Sequence, residues 1–342
     1  MFQRLSASKL PIAAACSGAF SLDAHALPRT EWAARGTALH DFIDRAFRAS
    51  RDLALAAIED AELSSFCAKI PLHEITAHFG GTPRTEVEFA YNPQTDECHE
   101  IEPFAAVPEG WLGGKVDGHI ALDARTALRL DRVDRVRGAD WKTGFVRVPP
   151  PLQNLQLRAY ALMLARCYHV DRVEFAVVDI DDEGFPFVRN AVFEEMELDA
   201  AAEEIRRIMA AVDTAMFKAE DPTFDAPRLR VGDHCRYCEA LPSCPAFVGT
   251  VQALVPQAER TLELSPVQIG ELYVKAQAIE IMLERFNGAV RFQVERGLRV
   301  PLPNGKELRT TEIPSRTVSA KIAQEVMQEL GLGLAFLTAS KV

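Results

Sequence analysis

The alternation of apolar and polar side chains predicts a fold that mixes helices and strands. Apolar residues recur at three- and four-residue steps from about Thr37 onwards, which is the pattern of one helix face. Thr37 is a residue type that caps helix N-termini, so the helix is expected to begin there. Alternating stretches then predict three strands, at residues 85–91, at residues 111–122 and up to Lys142.

The second half of the chain continues this pattern and then loses its strands. Helices are predicted at residues 149–168 and 199–219, with a hairpin between them around the sequence DDEG. Ser265 and Pro266 are typical of a helix start, and a long helix is expected after them. A last short helix is predicted near residues 320–331.

The bulk composition is that of a globular protein. A chain of 342 residues suits about two domains, and we expect an α+β domain over residues 1–250 and a helical appendage over residues 251–342. No apolar run approaches the roughly 20 residues that span a bilayer. The net charge of −11 argues against a protein that coats nucleic acid through bulk charge, but it allows a local basic groove beside an acidic metal site.

The cysteines indicate a metal site. Seven is an odd number, which favours reduced thiols over a secreted disulfide set, so we expect a cytoplasmic protein. Cys235, Cys238 and Cys244 are spaced C-x2-C-x5-C, and soft thiolates select zinc or an iron–sulfur cluster. Such sites use four ligands, so a fourth is expected elsewhere. Three scattered cysteines are interpreted as ordinary buried thiols: Cys67, Cys98 and Cys167.

Charged residues in the strands are candidates for a second, hard-metal site. Asp140 and Lys142 are two residues apart, so they point to the same side of their strand, while Trp141 points the other way into packing. Asp117 lies in an otherwise apolar strand, where a carboxylate is costly unless it is paired or bound to a metal. The structural alternatives are a surface ion pair of Asp140 with Lys142 and a turn position for Asp117 beside Gly118.

Two helices add polar side chains to these candidates. His40 lies near the start of the first helix, and its structural alternative is a pair with Asp44 one turn later. Gln156 and Tyr160 lie at i and i+4, on one face of the helix that follows the third strand. Gln153 is roughly on the same side and is a weaker candidate.

The order of these residues resembles the PD-(D/E)XK nuclease superfamily, in its RecB-like exonuclease branch. That branch has a G-x3-H helix (here GTALH), an acidic strand (GGKVDGHI), a D-x-K-T strand (DWKTG) and a Q-x3-Y helix (QLRAY). The resemblance covers about residues 5–250 well and the remainder loosely. A phage-borne family of unassigned function is more similar still, because it shares the N-terminal cysteine segment, the HCRYC sequence and a helical extension.

The resemblance implies an α/β/α core of the restriction-endonuclease type and phosphodiester hydrolysis with Mg²⁺ or Mn²⁺. The implied metal ligands are His40, Asp117, Asp140 and the backbone carbonyl of Trp141. Lys142 is expected to orient the attacking water.

Three further residues have roles implied by the same resemblance. Gln156 and Tyr160 are expected to hold the substrate backbone or the lysine. Glu88 is a candidate for a further metal ligand or for a partner of one. Glu86 has the same strand parity, so the sequence does not choose between the two glutamates.

The resemblance also supplies a fourth cysteine. AddB-type nucleases and the CRISPR-associated iron–sulfur exonucleases use one cysteine before the nuclease core and three after it. This implies a [4Fe–4S] cluster on Cys16, Cys235, Cys238 and Cys244 that joins the two ends of the domain. The alternative is a zinc site in which His234 replaces Cys16, although adjacent residues rarely both bind one ion.

The expected substrate is DNA, with single-stranded ends as the form that the family favours. The expected setting is phage or bacterial DNA replication, recombination or repair, with a protein of that pathway as a candidate partner. The rival functions are a non-catalytic DNA-binding or assembly protein and a zinc-stabilised nucleic-acid adaptor. Five arginines are candidates for phosphate contacts or for a solvated hairpin: Arg129, Arg132, Arg135, Arg137 and Arg147.

Overall fold

The computed structural model describes most of the chain. The described residues are 5–24, 31–123, 133–143, 148–181, 186–219, 229–250, 264–302 and 305–310. Contacts between residues divide the chain into two compact units, Met1–Phe292 and Gln293–Val342. The expected domain boundary at residue 250 stays a prediction.

A six-stranded sheet forms the centre of the first unit. Its strands are β1 (Arg84–Asn92), β2 (Glu97–Ile101), β3 (Leu112–Asp123), β4 (Val133–Thr143), β5 (Val173–Ile180) and β6 (Pro186–Phe193). The order in space is β2-β1-β3-β4-β5-β6. Strands β4 and β5 run parallel, whereas the other neighbouring pairs are antiparallel.

Helices cover both faces of this sheet and complete a mixed α+β fold of three layers. They are α1 (Leu10–Ala15), α2 (Glu31–Arg48), α3 (Arg51–Ala56), α4 (Ala61–Cys67), α5 (Leu72–Phe79), α6 (Leu155–Tyr168) and α7 (Glu195–Ala219). Short 3-10 helices lie at Ala7–Lys9, Ser17–Ser21, Pro151–Gln153, Asp233–Tyr237 and Leu241–Ser243. The architecture is consistent with the restriction-endonuclease-like core that the sequence predicts.

Two hydrophobic cores lie on opposite faces of the sheet. The first core joins α6, α7 and the N-terminal segment to residues of β1 and β3 such as Phe89 and Val116. The second core packs α2 and α5 against β4 and β5, with Trp141 fully buried. Close approach of α6 to the sheet depends on Gly138, because a Cβ there would collide with Phe175 and Leu164.

Most of the predicted elements are confirmed. The three strands are β1, β3 and β4, the hairpin is β5–β6, and the two later helices are α6 and α7. The expected start at Thr37 is wrong, because α2 is already helical from Glu31. Strand β2 is absent from the prediction, and the segment after Arg48 breaks into α3, α4 and α5 instead of continuing one helix.

The long helix near the C-terminus is also confirmed. Helix α8 spans Pro266–Glu295, and Ser265 caps it, since Gln268 N–H donates to Ser265 Oγ at 3.4 Å while Ser265 N–H donates to the Gln268 side chain at 2.9 Å. Two short strands, β7 (Val300–Pro301) and β8 (Glu307–Leu308), pair after it. The short helix expected near residues 320–331 lies outside the described residues.

Within the part of the chain that the structure describes, no helix has both the length and the apolar character that crossing a membrane requires.

Candidate active site

The candidate site lies where strands β3 and β4 separate. The two strands pair up to Gly118 and Ala139. Asp117 and Asp140 are the next residues on each strand, and both carboxylates are buried. The Trp141 N–H donates a 2.8 Å hydrogen bond to Asp117 Oδ2, so this side chain accepts a donor at the point where backbone pairing ends.

A break in strand alternation lies at Glu86 on β1. The Thr85 hydroxyl donates to Asp44 Oδ1 at 2.5 Å, and Asp44 belongs to α2 on one face of the sheet. Phe89 instead packs in the core on the α6 face. Residues 85 and 89 would share a face in a regular strand. Glu86 has a φ of 53°, which is uncommon for a residue other than glycine, and it marks the position of the switch.

Strand β3 switches faces at the matching position, Asp117. A Cβ placed on Gly114 would touch α6, whereas one placed on Gly118 would touch Trp141 in the core on the opposite face. The strand register places Glu86 directly opposite Asp117, because the residues on both sides of them pair in step. The two irregular positions therefore bring two carboxylates to the same point of the sheet.

Helix α2 carries His40 to these carboxylates. The bond from Thr85 to Asp44 fixes α2 on β1, and His40 lies one turn before Asp44. His40 Nδ1 lies 3.0 Å from Glu86 Oε1 and 3.6 Å from Asp117 Oδ1. The structural alternative of a His40–Asp44 pair is therefore wrong.

These three side chains form a group that can hold a metal ion. One ligand atom from each of His40, Glu86 and Asp117 lies within 4.8 Å of the other two. Burial, and then the charge of Asp140, raises the pKa of Asp117 to about 7. Burial alone would lower the pKa of His40, but Asp117 and Glu86 outweigh it and raise that pKa to about 9. Without a cation the site holds protons that a cation would displace.

Asp140 and Lys142 form an ion pair on β4 in which the carboxylate is buried and the lysine is partly exposed. Lys142 Nζ lies 2.8 Å from Asp140 Oδ2. Burial would lower the pKa of Lys142, but Asp140 and then Asp117 raise it above its ordinary value, so the ammonium group is charged at neutral pH. The surface ion pair considered from the sequence is wrong, because Asp140 is only 1% exposed.

Helix α6 supports Asp140 from the first core. Gln156 Nε2 donates to Asp140 Oδ1 at 3.3 Å and to the Tyr160 hydroxyl at 3.0 Å. Asn154 caps the helix by accepting from the Gln156 N–H, which fixes the first turn. Tyr160 is buried, and burial raises its pKa well above the ordinary value, so its hydroxyl is neutral. Gln153 is exposed on the 3-10 helix before α6.

The donor set fits a hard divalent cation. Mg²⁺ and Mn²⁺ prefer carboxylate oxygens, and an imidazole is an acceptable further ligand. Asp140 Oδ2 is buried, and apart from its contact with Lys142 it has no hydrogen bond within the described residues. This oxygen keeps a lone pair for a cation, so the residues present fit Mg²⁺ or Mn²⁺.

The glutamate that reaches the group is Glu86. Glu88 lies opposite Ile101 and Lys115 in the strand register, and it lines the cavity next to the group. Its role as a ligand stays a prediction. Strand parity does not distinguish Glu86 from Glu88, because parity holds only for regular strands and β1 is irregular at Glu86. The buried packing expected for the Trp141 side chain is confirmed by its edge contact with Phe79, at 6.1 Å between ring centroids.

The arginines near the third strand divide into three groups. Arg137 has structural partners, since its Nε donates to Glu174 at 2.8 Å and its Nη1 donates to the carbonyl of His78 at 3.1 Å. Arg135 is exposed, and its phosphate contact stays a prediction. The other three lie outside the described residues: Arg129, Arg132 and Arg147.

The four cysteines expected to bind a metal are all buried in the first core. Burial, and then the neighbouring Cys235, Cys16 and Cys244, raises the pKa of Cys238 to about 11. The Arg230 N–H donates to Cys16 Sγ at 3.4 Å. Among the described residues, however, no three of these sulfurs lie within 4.8 Å of one another.

The other cysteines fit ordinary packing. Cys67 and Cys98 are buried, and Cys167 is partly buried. Burial raises the pKa of the Cys67 thiol to about 11, which keeps it neutral. Their interpretation as ordinary buried thiols is confirmed for Cys67 and Cys98, while Cys167 is more exposed than expected.

The family of the chain follows from its sequence match. The family model of the PD-(D/E)XK nuclease superfamily matches residues 4–245, which is well over half of the chain. The chain therefore belongs to this superfamily. Its members are metal-dependent nucleases that hydrolyse phosphodiester bonds, which agrees with the His40, Glu86 and Asp117 group. The RecB-like branch and the phage-borne family stay predictions.

The chain also has a match among the solved structures. The crystal structure of SSO0001 is 17% identical in sequence, and the match covers 61% of this chain and 84% of that chain with a TM-score of 0.27. No curated protein gives a significant match.

Proposed function

We propose that the protein is a metal-dependent DNA exonuclease that acts on single-stranded ends. The observation that carries this proposal is the meeting of one helix and three strands at a buried polar group: His40, Glu86, Asp117, Asp140 and Lys142. A buried carboxylate, Asp117, whose ionisation is opposed by burial and by the neighbouring Asp140 is unfavourable for stability alone. Such an arrangement is typical of a functional site.

The group supplies what hydrolysis of a phosphodiester requires. His40, Glu86, Asp117 and Asp140 would hold Mg²⁺ or Mn²⁺. When bound, the cation supplies Lewis acidity and lowers the pKa of water. Lys142, which the carboxylates keep charged, is placed to hold an attacking water and to offset negative charge that develops on the phosphate.

Other groups position these residues. Gln156 holds Asp140 in place and is itself bound to Tyr160. Tyr160 also lines the cavity beside Asp117, where its neutral hydroxyl is available to a substrate phosphate. The Trp141 carbonyl stays a candidate for a further ligand, because the Trp141 N–H already contacts Asp117.

A [4Fe–4S] cluster on Cys16, Cys235, Cys238 and Cys244 is part of the proposal. One C-x2-C pair joined by Cys244 and by the distant Cys16 gives four thiolates, the ligand set of a [4Fe–4S] cluster, whereas zinc sites usually combine two such pairs. His234 Nε2 is 2.9 Å from the Arg230 carbonyl, which disfavours its use as a zinc ligand. Backbone N–H groups directed at thiolate sulfur are a feature of iron–sulfur sites.

The proposed setting is phage or bacterial DNA replication, recombination or repair, with a protein of that pathway as partner. The odd number of cysteines, seven, supports a reducing compartment such as the cytoplasm. The assigned setting and the assigned partner both depend on the exonuclease activity, so this activity is tested first.

The test is digestion of end-labelled DNA by protein purified without oxygen. With Mn²⁺ or Mg²⁺, we expect single-stranded oligonucleotides to be shortened from an end and double-stranded ones to be shortened more slowly. Lys142→Ala should be inactive with an unchanged circular dichroism spectrum, whereas Lys69→Ala, which changes an exposed lysine, should be fully active. A wild-type protein that binds the strand without shortening it would instead support the non-catalytic rival.

A further inference from the structure

A cavity of about 380 Å³ opens beside the acidic group. Its lining includes His40, Asp117 and Lys115, together with Ser6 and Ser8 of the N-terminal segment. Ligand cavities in proteins usually measure about 300–1,000 Å³. This one has the size of a single small unit, such as one nucleotide, and no part of the proposed hydrolysis accounts for its serines.

The N-terminal segment is held against the sheet at this cavity. Ser6 forms a parallel β-bridge with Gly113 of β3, and the Gly113 N–H donates to the Leu5 carbonyl at 3.4 Å. The chain then continues through α1 to Cys16, which is buried in the first core. Since the segment is fixed at both ends, Ser6 and Ser8 form a defined wall of the cavity.

This wall and Lys115 offer donors to an anion. The Ser6 and Ser8 hydroxyl oxygens lie 3.0 Å apart, and one hydroxyl hydrogen between them suffices for this bond, so the pair retains a donor. Lys115 is half exposed and forms an ion pair with Glu86. Phosphates in proteins are commonly bound by a lysine or arginine together with hydroxyl donors, and Lys115 shares this cavity with the Ser6 and Ser8 hydroxyls.

The remaining lining suits the base and sugar of an unpaired nucleotide. Ile101, Val107 and Tyr160 contribute apolar and aromatic surface, and bases bind single-strand sites mainly through such surfaces. Glu88 also lines the cavity. A carboxylate only accepts hydrogen bonds, so it matches the amino groups of a base and not a phosphate.

We propose that this cavity is the subsite for the nucleotide next to the scissile phosphate in single-stranded DNA. Ser6, Ser8 and Lys115 hold the phosphate of that nucleotide, and the apolar wall receives its base. This inference rests on the proposed nuclease function and adds a binding site to it. The subsite favours an unpaired end, because the apolar and aromatic lining can receive a base only when that base is not stacked in a duplex.

The test compares two substrates with the double variant Ser6→Ala/Ser8→Ala in Mn²⁺. For a single-stranded oligothymidylate, we expect KM to rise roughly tenfold with little change in kcat, since hydrogen bonds to a charged group are lost from binding alone. For bis(p-nitrophenyl) phosphate, which has no neighbouring nucleotide, the kinetics should be unchanged. Ser65→Ala, an exposed serine on α4, is the matched control.

The outcomes separate the subsite from the nuclease function. An active wild type whose KM is unchanged in the double variant overturns the subsite alone. An equal loss on both substrates assigns the serines a structural role and also overturns the subsite. A wild type that hydrolyses neither substrate overturns the nuclease function, and the subsite with it. If the double variant does not fold, Ser8→Ala should raise KM about threefold while Ser8→Thr, which keeps the hydroxyl, should not.

Discussion

The acidic group and the cysteine set are both assembled from segments that lie far apart in sequence, but they differ in ligand type and in access. The acidic group offers carboxylate and imidazole donors beside a cavity of about 380 Å³. The four thiols are buried in the first hydrophobic core. Hard donors beside a cavity suit an exchangeable cation at which chemistry occurs, whereas buried soft donors suit a resident group that holds the fold.

This difference predicts that damage to the two regions has separate consequences. A change at Asp140 in the acidic group should remove activity without lowering stability. A change in the cysteine set should lower stability first, because its proposed cluster joins Cys16 to residues about 220 positions later.

The largest effect is expected from Asp140→Asn. The hydrolysis rate should fall on the order of 10³-fold, because the change removes one charge from the proposed cation site. Thermal stability should be kept or should rise, since Asp140 opposes the ionisation of the buried Asp117. Initial rates on labelled DNA and a thermal unfolding curve measure the two effects.

The matched control for this prediction is Asp41→Asn. Asp41 lies next to His40 on α2 but is exposed, so its variant should be as active as the wild type. Wild-type rates in Asp140→Asn would contradict the proposed role of the carboxylate.

The second largest effect is expected from Cys238→Ala. The variant should lose bound iron and roughly 2–4 kcal/mol of unfolding free energy, by analogy with the loss of a cross-link that closes a long loop. Iron analysis, the visible absorption spectrum and denaturant unfolding check this. Cys167→Ala is the control, because Cys167 lies outside the set. Full iron content and unchanged stability in Cys238→Ala would contradict the proposal that the cysteine set holds a cluster that stabilises the fold.

A smaller effect separates the two glutamates of β1. Glu86→Gln should weaken Mn²⁺ binding about 10–100-fold, because Glu86 lies within the group of potential ligands. Glu88→Gln should weaken it about twofold or less, since Glu88 faces the adjoining cavity. Calorimetric titration with Mn²⁺ measures both affinities. The reverse order would show that Glu88 is the ligand.

The smallest effect is the pH dependence of the metal-free protein. The pKa of His40 is raised to about 9 from 6.5, so its contribution to stability is complete below about pH 6.5 and is lost as the pH rises to about 9. The pKa of Asp117 is raised to about 7 from 3.8, so its ionisation lowers stability between about pH 4 and pH 7. Both shifts predict that the metal-free protein becomes less stable as the pH rises.

Cation binding should show the opposite trend. Its affinity should rise with pH, by at most about tenfold per pH unit for each proton that the cation displaces. The increase in Tm on adding Mn²⁺ should therefore be larger near pH 8 than near pH 6, and His40→Gln should reduce this difference. An increase in Tm that is the same at both pH values would contradict the proton exchange.

Several features of the site were predictable because regular elements position their residues. The two-residue spacing of Asp140 and Lys142 on a strand predicts a common side, and the ion pair confirms it. The four-residue spacing of Gln156 and Tyr160 on a helix predicts their contact in the same way.

Other features depend on irregular backbone or on distant partners. The choice of Glu86 over Glu88 follows from a positive φ that no hydrophobic pattern reports. The role of Arg137 is set by Glu174 and His78, which lie 37 and 59 residues away along the chain. Local sequence carries no information about such partners, so phosphate contacts and a solvated hairpin are the two alternatives that the sequence predicts for Arg137.

The central claim is that side chains from α2, β1, β3 and β4 bind one hard cation in common. Anomalous X-ray scattering from crystals soaked in Mn²⁺ tests it most directly. The account predicts a manganese peak within about 2.0–2.6 Å of the Asp117 and Asp140 carboxylates, with His40 or Glu86 completing the shell. A well-occupied peak elsewhere on the protein, with none between Asp117 and Asp140, would contradict it.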